Sequence, residues 1–177
     1  MGDALGQAAV IAVRAEQAGD VAAIDAVVRA AFGQPGEAEL VAALRAAGRA
    51  PVSLVAVEDG AIVGHVLYSP VTIAGALVPV LGLAPMAVRP DRQRAGIGTR
   101  LGQAGLAASA AAGAAALVVL GHAEYYPRFG FIPASQFGLR CVYDAPDEAF
   151  MALELIPGAL AAYSGLVEYA PEFSSPL

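Results

Sequence analysis

A chain of 177 residues is long enough for one domain with a full core and short for two. Hydrophobic residues make up 58% of it and charged residues 15%, a composition that excludes an intrinsically disordered protein. The formal net charge of −6 argues against general nucleic-acid binding, which needs an extended basic surface. We therefore expect a single domain over residues 1–177 and no nucleic-acid partner.

The cysteine and histidine content bears on metals and on the cell compartment. Cys141 is the one cysteine, and His65 and His122 are the two histidines, a set too small for a zinc site of normal ligand count. A lone cysteine forms no internal disulfide, which suits a reducing compartment. The N-terminal stretch "MGDALGQAAV" lacks the basic and apolar regions of a signal peptide. We therefore expect no metal and a cytoplasmic location.

One long uncharged segment raises the question of a membrane. Residues 60–88 carry no formal charge and are long enough to cross a bilayer. Prolines and glycines interrupt the segment, and its alternating β-branched residues are typical of strands and turns. We therefore expect these residues to lie in a sheet and not in a membrane.

The first half of the chain predicts two helices between strands. A strand is expected from Val10 to Glu16, and a helix from Asp20, as its cap, to Phe32. A second helix is expected over Glu37 to Ala47. Two runs of β-forming residues then meet at Asp59-Gly60, which predicts a hairpin.

The second half predicts a strand, a helix and a second strand in succession. The strands are expected over 77–88 and 115–121, and the helix over 96–112, with one apolar face formed by Ile97, Leu101, Ala104, Ala108 and Ala111. Such a crossover is right-handed and makes its two strands parallel. Two more strands are expected within residues 136–155. The whole is an α/β pattern that begins with antiparallel strands.

An arginine-rich turn stands between that strand and that helix. Four of the ten basic residues, Arg89, Arg92, Arg94 and Arg100, fall there. The N–H groups at a helix start lack partners, and Gly96 has no side chain to block an anion, so the turn is suited to bind phosphate. A glycine-softened helix start with solvated arginines is the alternative. The chain has no lysine for a nucleotide P-loop, and Leu101 replaces the third glycine of a dinucleotide fingerprint.

Two motifs resemble one known family. Gln93 to Gly98, "QRAGIG", is similar to the Q/R-x-x-G-x-G/A signature of the GNAT N-acetyltransferase superfamily, and "GHAEYYPRFGF", residues 121–131, resembles the YhbS-like branch of it. "FMALELIPGAL" and "GLVEYAPEF" extend the resemblance over nearly the whole chain. It implies an α+β GNAT fold: a mixed, mostly antiparallel sheet of about seven strands flanked by helices. The parallel strands ending near Val88 and Gly121 would splay apart.

The resemblance also implies a cosubstrate and its binding residues. Acetyl-CoA would place its pantetheine arm along the strand at Met86, Ala87 and Val88, as an added strand would lie. The N–H of Ala87 or Val88 would stabilise the oxyanion. The remaining cofactor-binding residues implied are Gln93, Arg94, Ala95, Gly96, Ile97, Gly98 and Thr99, which would hold the diphosphate, and Tyr126 near the sulfur.

The catalytic residues implied by the resemblance are Tyr126 and His122. Tyr126 would protonate the departing thiolate, or else it packs the sheet together with Tyr125. The strand over 77–88 contains no acidic base. His122 is the candidate base; a hydrogen-bonded structural residue is the alternative. The further candidates for the base are Glu124, His65 and Glu37, and Cys141 is interpreted as structural. The resemblance also implies that Glu37 and Glu39 lie at the acceptor site; residues that favour the dipole of a first helical turn are the alternative.

The resulting expectation is an N-acetyltransferase that acts on a primary amine of a small molecule or protein by direct attack in a ternary complex. A catalytically silent acetyl-CoA-binding regulatory module with the same fold is the alternative. The apolar composition would allow a homodimer. The sequence contains no pattern that specifies the acceptor.

Overall fold

The computed structural model describes residues 9–174 of the chain, so most of "MGDALGQAAV" lies outside the described residues. The strands are β1 (Ile11–Ala15), β2 (Val52–Glu58), β3 (Ala61–Ile73), β4 (Ala76–Val88), β5 (Ala116–Leu120), β6 (Ile132–Pro133), β7 (Leu139–Cys141), β8 (Phe150–Glu154) and β9 (Gly165–Glu168). The α-helices are α1 (Val21–Phe32), α2 (Gly36–Ala46) and α3 (Ile97–Ala111). No helix within residues 9–174 is both long and apolar enough to cross a membrane.

The strands form one mixed sheet. Seven of them follow the order β1-β2-β3-β4-β5-β8-β6, while β9 pairs with both β3 and β7. Along that path every neighbouring pair is antiparallel except β4 and β5, which are parallel and are connected through α3. The predicted strand–helix–strand crossover is thus confirmed. The sheet extends further than predicted, because the short strands β6 and β9 join it.

The turn between β2 and β3 confirms the expected hairpin. Asp59 and Gly60 have φ angles of 50° and 79°. Two successive positive φ angles are typical of the type I′ turn, whose twist matches that of the flanking strands. The register places Glu58 opposite Ala61, directly beside the turn.

Helices cover both faces of the sheet. On one face, α1 and α2 pack over Val55, Leu67 and Ala87. On the other face, α3 packs over Val66 and Tyr68. Because side chains alternate along a strand, neighbouring residues of β3 serve opposite layers of the core. The strand β4 is the fourth of seven in the sheet order and contributes residues to the core on both faces, so it runs through the middle of the molecule.

The buried face of α3 differs from the predicted one. Ile97 and Leu101 are buried as expected, but Ala111 is exposed. Gly102 and Gly105 face the protein instead, and a methyl group on either would overlap the ring of Phe129 or Tyr68, respectively. The absence of side chains lets these large rings approach the helix closely.

Asp20 does not cap α1 as expected. Its carboxylate accepts a 2.7 Å hydrogen bond from the N–H of Gln17 and a second from Arg14, so it ties the preceding turn to β1. The hydrogen bond from Arg14, followed by that from Gln17, lowers the pKa of Asp20 to about 2.

Candidate active site

The parallel strands β4 and β5 separate before β4 ends. Their pairing stops at Leu83 and Val119, whereas β4 continues to Val88 along β3. A bulge helps to redirect the strand, because Ala84 and Pro85 together stand opposite the single residue Leu67. The last residues of β4 therefore present a free edge to the wedge between the two strands.

The direction of each main-chain group along that edge follows from strand geometry. The N–H of Arg89 donates to Val63 of β3 over 2.8 Å. Main-chain groups alternate between the two edges of a strand, so the N–H and C=O of Val88 and Met86 point into the wedge while those of Ala87 point to β3. A second contact agrees: the side-chain amide of Gln93 donates to the Val88 carbonyl over 3.1 Å. Of the two residues predicted for the oxyanion, the geometry favours Val88.

The turn that leads from β4 to α3 exposes a row of N–H groups. Arg94 and Gly96 have φ angles of 63° and 83°, both in the left-handed region. The N–H groups of residues 94–96 have no main-chain acceptor within the described residues, and those of the first turn of α3 have none by helix geometry. Concave rows of this kind bind anions. The residues predicted to bind phosphate, from Gln93 to Thr99, thus surround one N–H-lined turn.

The four arginines of the turn are not equivalent. Arg89 is paired with Asp91 over 2.6 Å, and Arg92 is paired with Glu58 at the end of β2. The Arg92 pair lowers the pKa of Glu58 and fastens the turn to the β2–β3 hairpin. Arg94 and Arg100 form no ion pair within residues 9–174, so the charge available to an anion lies mainly on these two.

Tyr125 and Arg128 form a contact that the sequence did not predict. The Arg128 guanidinium lies 4.0 Å from the centre of the Tyr125 ring and donates to Thr99 Oγ1 over 3.3 Å. The Tyr125 hydroxyl lies 4.0 Å from Met86 Sδ and 2.7 Å from the place of a Cβ on Gly98. Tyr125 therefore does more than pack: it connects the edge of β4 to the start of α3. The contact could have been predicted from the motif "YYPRFGF", because it places Arg128 three residues after Tyr125.

A cavity of 710 Å³ opens beside the wedge. It is bounded by the end of α1 and the start of α2, by β4 from Leu83 to Met86, by Leu120 to His122, and by aromatic residues that follow β7 and β9. Tyr126 and His122, the two predicted catalytic residues, both line it, and so does Glu37. The structure does not place Glu124, Glu39 or His65 on its walls.

Tyr126 has a mostly buried ring at the wall of this cavity. The ring lies over Gly121, where a side chain would overlap it, and its centre is 5.9 Å from that of Phe131. Burial, with a smaller contribution from Tyr125, raises the pKa of Tyr126 to about 12. The phenol therefore keeps its proton at neutral pH, and the raised pKa makes it a weaker acid than a solvent-exposed tyrosine.

The two histidines have different surroundings. The side chain of His122 is exposed at the cavity, while its carbonyl accepts hydrogen bonds from the N–H groups of Tyr125 and Tyr126 over 3.0 and 3.3 Å. His65 is fully buried, with Nε2 2.9 Å from Ser53 Oγ. Burial lowers its pKa to about 4, so it is a neutral core residue. Cys141 is half-buried in β7, away from the cavity walls.

The comparison with known families agrees with this geometry. A family model described as an acetyltransferase (GNAT) domain matches residues 12–134. The chain belongs to the GNAT acetyltransferase family. As a GNAT protein it is an acyltransferase, and its parallel β4–β5 pair and mixed sheet are those of the GNAT fold.

Individual relatives resemble this GNAT protein over most of its length. The uncharacterized N-acetyltransferase YhbS of Escherichia coli K12 is 37% identical over 163 residues, which cover 92% of this chain and 98% of YhbS. The crystal structure of Escherichia coli YhbS in complex with CoA has a TM-score of 0.91 at 36% identity, covering 97% of this chain and 96% of that one. A GNAT acetyltransferase of Brucella melitensis in complex with acetyl-CoA has a TM-score of 0.79 at 39% identity, covering 93% and 99%. The YhbS-like resemblance is confirmed.

Proposed function

We propose that this GNAT enzyme transfers the acetyl group of acetyl-CoA to a primary amine by direct attack within a ternary complex. One observation carries the proposal: the free edge from Met86 to Val88 joins the N–H-lined turn to the cavity that holds Tyr126. An elongated ligand with an anionic middle and a reactive end would fit that sequence of surfaces. Relatives that bind CoA and acetyl-CoA support the choice of ligand.

The turn and the wedge supply the groups that such a ligand needs. The N–H groups from residues 94–99 would hold the diphosphate, with Arg94 and Arg100 supplying charge. The main-chain groups of Met86 and Val88 would pair with the amides of the pantetheine arm. Ala87 contributes its buried side chain to the core and leaves this edge to its neighbours.

The main chain of β4 and the side chain of Tyr126 at the cavity have distinct roles in the proposed reaction. Bound acetyl-CoA supplies a thioester, whose C–S bond breaks as the amine nitrogen forms the new C–N bond. The Val88 N–H stabilises the negative charge that develops on the carbonyl oxygen. Tyr126, which lines the cavity and is protonated at neutral pH, donates its proton to the departing sulfur.

The amine must lose a proton before or during attack. His122 is the proposed acceptor of that proton, because it lines the cavity and is exposed to solvent, to which it can pass the proton on. His122, just after the carboxyl end of β5, would thus serve as the base that β4 does not provide. A His122→Gln variant tests this role: we expect kcat to fall by ~10²–10⁴-fold, the contribution of one positioned general base, with an unchanged Kd for acetyl-CoA.

The transferase activity itself is tested with the full chain, acetyl-CoA and a panel of primary amines. Release of the CoA thiol together with the mass of an N-acetylated amine is the expected result. Binding of acetyl-CoA by calorimetry without turnover of any amine would instead establish the catalytically silent module. Absence of acetyl-CoA binding would contradict both.

The lone cysteine, suited to a reducing compartment, supports a cytoplasmic site for the reaction.

A further inference from the structure

We infer that the acceptor is a compact monoamine with an apolar body and no carboxylate, and that Glu37 attracts its ammonium group. The inference rests on the proposed transferase function and concerns the acceptor part of the same cavity. Three properties of the cavity wall carry it: its aromatic surface, its single formal charge and its closure by the C-terminal turn.

The acceptor end of the cavity has an aromatic surface. Tyr143, Tyr169 and Phe173 form a row, with ring centres 6.0 and 5.1 Å apart along it. Phe32, from the end of α1, belongs to the same cavity. Phe32 and Tyr143 each leave 40% of their surface exposed, so an apolar ligand in the cavity has aromatic surface to cover. Aromatic rings also bind ammonium groups through their faces.

Glu37 is the one carboxylate among the described residues that line the cavity, and no arginine lines it. The side-chain amide of Gln34 donates to both Glu37 oxygens, over 3.1 and 3.2 Å, which orients the carboxylate. An arriving ammonium group would find a counter-charge here, and the amine then has to leave Glu37 and lose its proton to His122 before it attacks the thioester. The carboxylate of an amino acid would find none and would be repelled by Glu37. A second ammonium group, as in a polyamine, would find no second carboxylate among the described residues of the wall.

The C-terminal turn (Pro171–Ser174) restricts the size of the acceptor. It contributes Phe173 and Ser174 to the cavity, and an ion pair between Arg49 and Glu172 fastens it beside the end of α2. Ala170 and Phe173 pack into the core that α1 and α2 form. The turn therefore forms one wall of the 710 Å³ cavity, a volume typical of sites that take free small molecules.

The substrate test compares amines that differ in one property each. Phenethylamine has an apolar ring and one amine; phenylalanine adds a carboxylate; spermidine replaces the ring by further charges; a short peptide presents a protein-like N-terminus. We expect kcat/KM for phenethylamine to exceed that for each of the others by about tenfold or more, the effect of one unpaired charge. A preference for phenylalanine, spermidine or the peptide would overturn the inference while leaving the transferase function intact.

The residue test uses Glu37→Gln with Glu39→Gln as its matched control. Both glutamates lie in the first turn of α2, but Glu39 is exposed and does not line the cavity. Glu37→Gln should raise the KM for phenethylamine about tenfold, since one charge-assisted contact with the amine is lost. The Kd for acetyl-CoA should not change. Glu39→Gln should stay within about twofold of the parent protein. Equal KM values for the parent protein and Glu37→Gln would contradict the role of Glu37.

A binding measurement separates this inference from the proposed function. Phenethylamine is titrated by calorimetry into the full chain saturated with CoA, which removes the need for turnover. Binding that Glu37→Gln weakens, without acetylation of any amine, would retain the acceptor inference and reject the transferase function. Absence of binding to the parent protein would reject the inference. Thermal unfolding of each variant verifies that it is folded.

Discussion

Replacing Tyr126 by phenylalanine removes one hydroxyl and retains the ring. The ring contacts Tyr125 and Phe131, with ring centres 5.2 and 5.9 Å apart, and phenylalanine preserves both contacts. The hydroxyl has no hydrogen-bond partner within residues 9–174. We therefore expect the free energy of unfolding to change by less than ~1 kcal/mol. Any larger loss of activity then reports on chemistry and not on folding.

The expected loss is that of one positioned general acid that is protonated at the pH of the assay. With a pKa of about 12, only ~10⁻⁴ of Tyr126 is ionised at pH 8, so the acid form is always available. A positioned general acid accelerates a reaction by ~10²–10⁴-fold. We expect kcat of Tyr126→Phe to fall by that factor, which corresponds to ~2.7–5.5 kcal/mol of transition-state stabilisation. The Kd for acetyl-CoA should not change.

The assay follows CoA thiol release with saturating amine from pH 7 to pH 10, alongside calorimetric titration of acetyl-CoA. In the parent protein kcat should not decline on the alkaline side as far as about pH 10, because the raised pKa keeps Tyr126 protonated where a solvent-exposed tyrosine would ionise. Tyr163→Phe, a partly buried tyrosine outside the cavity, is the control. A Tyr126→Phe kcat within twofold of the parent value, with unchanged Kd, would refute the acid role.

Three further predictions concern the turn, the α3 face and pH. Gly96→Ala places a side chain at φ 83° in open space; the strain of about 1 kcal/mol should weaken acetyl-CoA binding severalfold by calorimetry. Gly102→Ala overlaps Phe129 and should destabilise by about 1–3 kcal/mol in chemical unfolding. Asp20 has a folded pKa of about 2, below its unfolded value, so it stabilises the fold above about pH 4. The stability difference between the parent protein and Asp20→Asn should shrink as pH falls from 4 to 2.

Each of these predictions has a contradicting result. Unchanged acetyl-CoA affinity in Gly96→Ala would show that the left-handed turn is not needed for binding. A Gly102→Ala variant more stable than the parent protein would show that Phe129 moves aside at no cost. The control is Gln103→Ala, at an exposed position of the same helix. If the stability difference between the parent protein and Asp20→Asn did not change with pH, Arg14 would not lower the pKa of the Asp20 carboxylate in the folded state.

The local features of the fold were predictable because short-range backbone requirements determine them. Asp59-Gly60 specifies a two-residue turn whatever surrounds it. The glycines at 96 and 98 mark a helix start that must leave its N–H groups free, and the strand before it and the helix after it follow from hydrophobic periodicity. Tyr126 and His122 were found in the same way, since one short motif places both after β5.

The face of α3 could not be predicted because its sequence is nearly uniform. Alanines and glycines surround the helix, so hydrophobic periodicity hardly distinguishes one side from another. The rings of Tyr68 and Phe129, from distant parts of the chain, select the side on which Gly105 and Gly102 lie. Packing against large rings thus decided a choice that residue type left open.

The aromatic residues on the acceptor side of the site were not predicted, for a similar reason. Its aromatic row follows β7 and β9, and β9 takes its place by pairing with β3, about a hundred residues earlier in sequence. The ion pair between Arg92 and Glu58 is another long-range contact, and it neutralises one of the four arginines that the sequence places at the phosphate-binding turn. Contacts between sequence-distant residues carry no local signal.

A crystal structure of this chain with acetyl-CoA would show whether the turn before α3 binds the diphosphate. We expect diphosphate oxygens about 2.7–3.2 Å from the N–H groups of residues 94–99, and the pantetheine arm paired with Met86 and Val88. The sulfur would then lie next to the Tyr126 hydroxyl. A diphosphate bound elsewhere on the protein, with that turn in contact with solvent alone, would show that the turn is not the binding site.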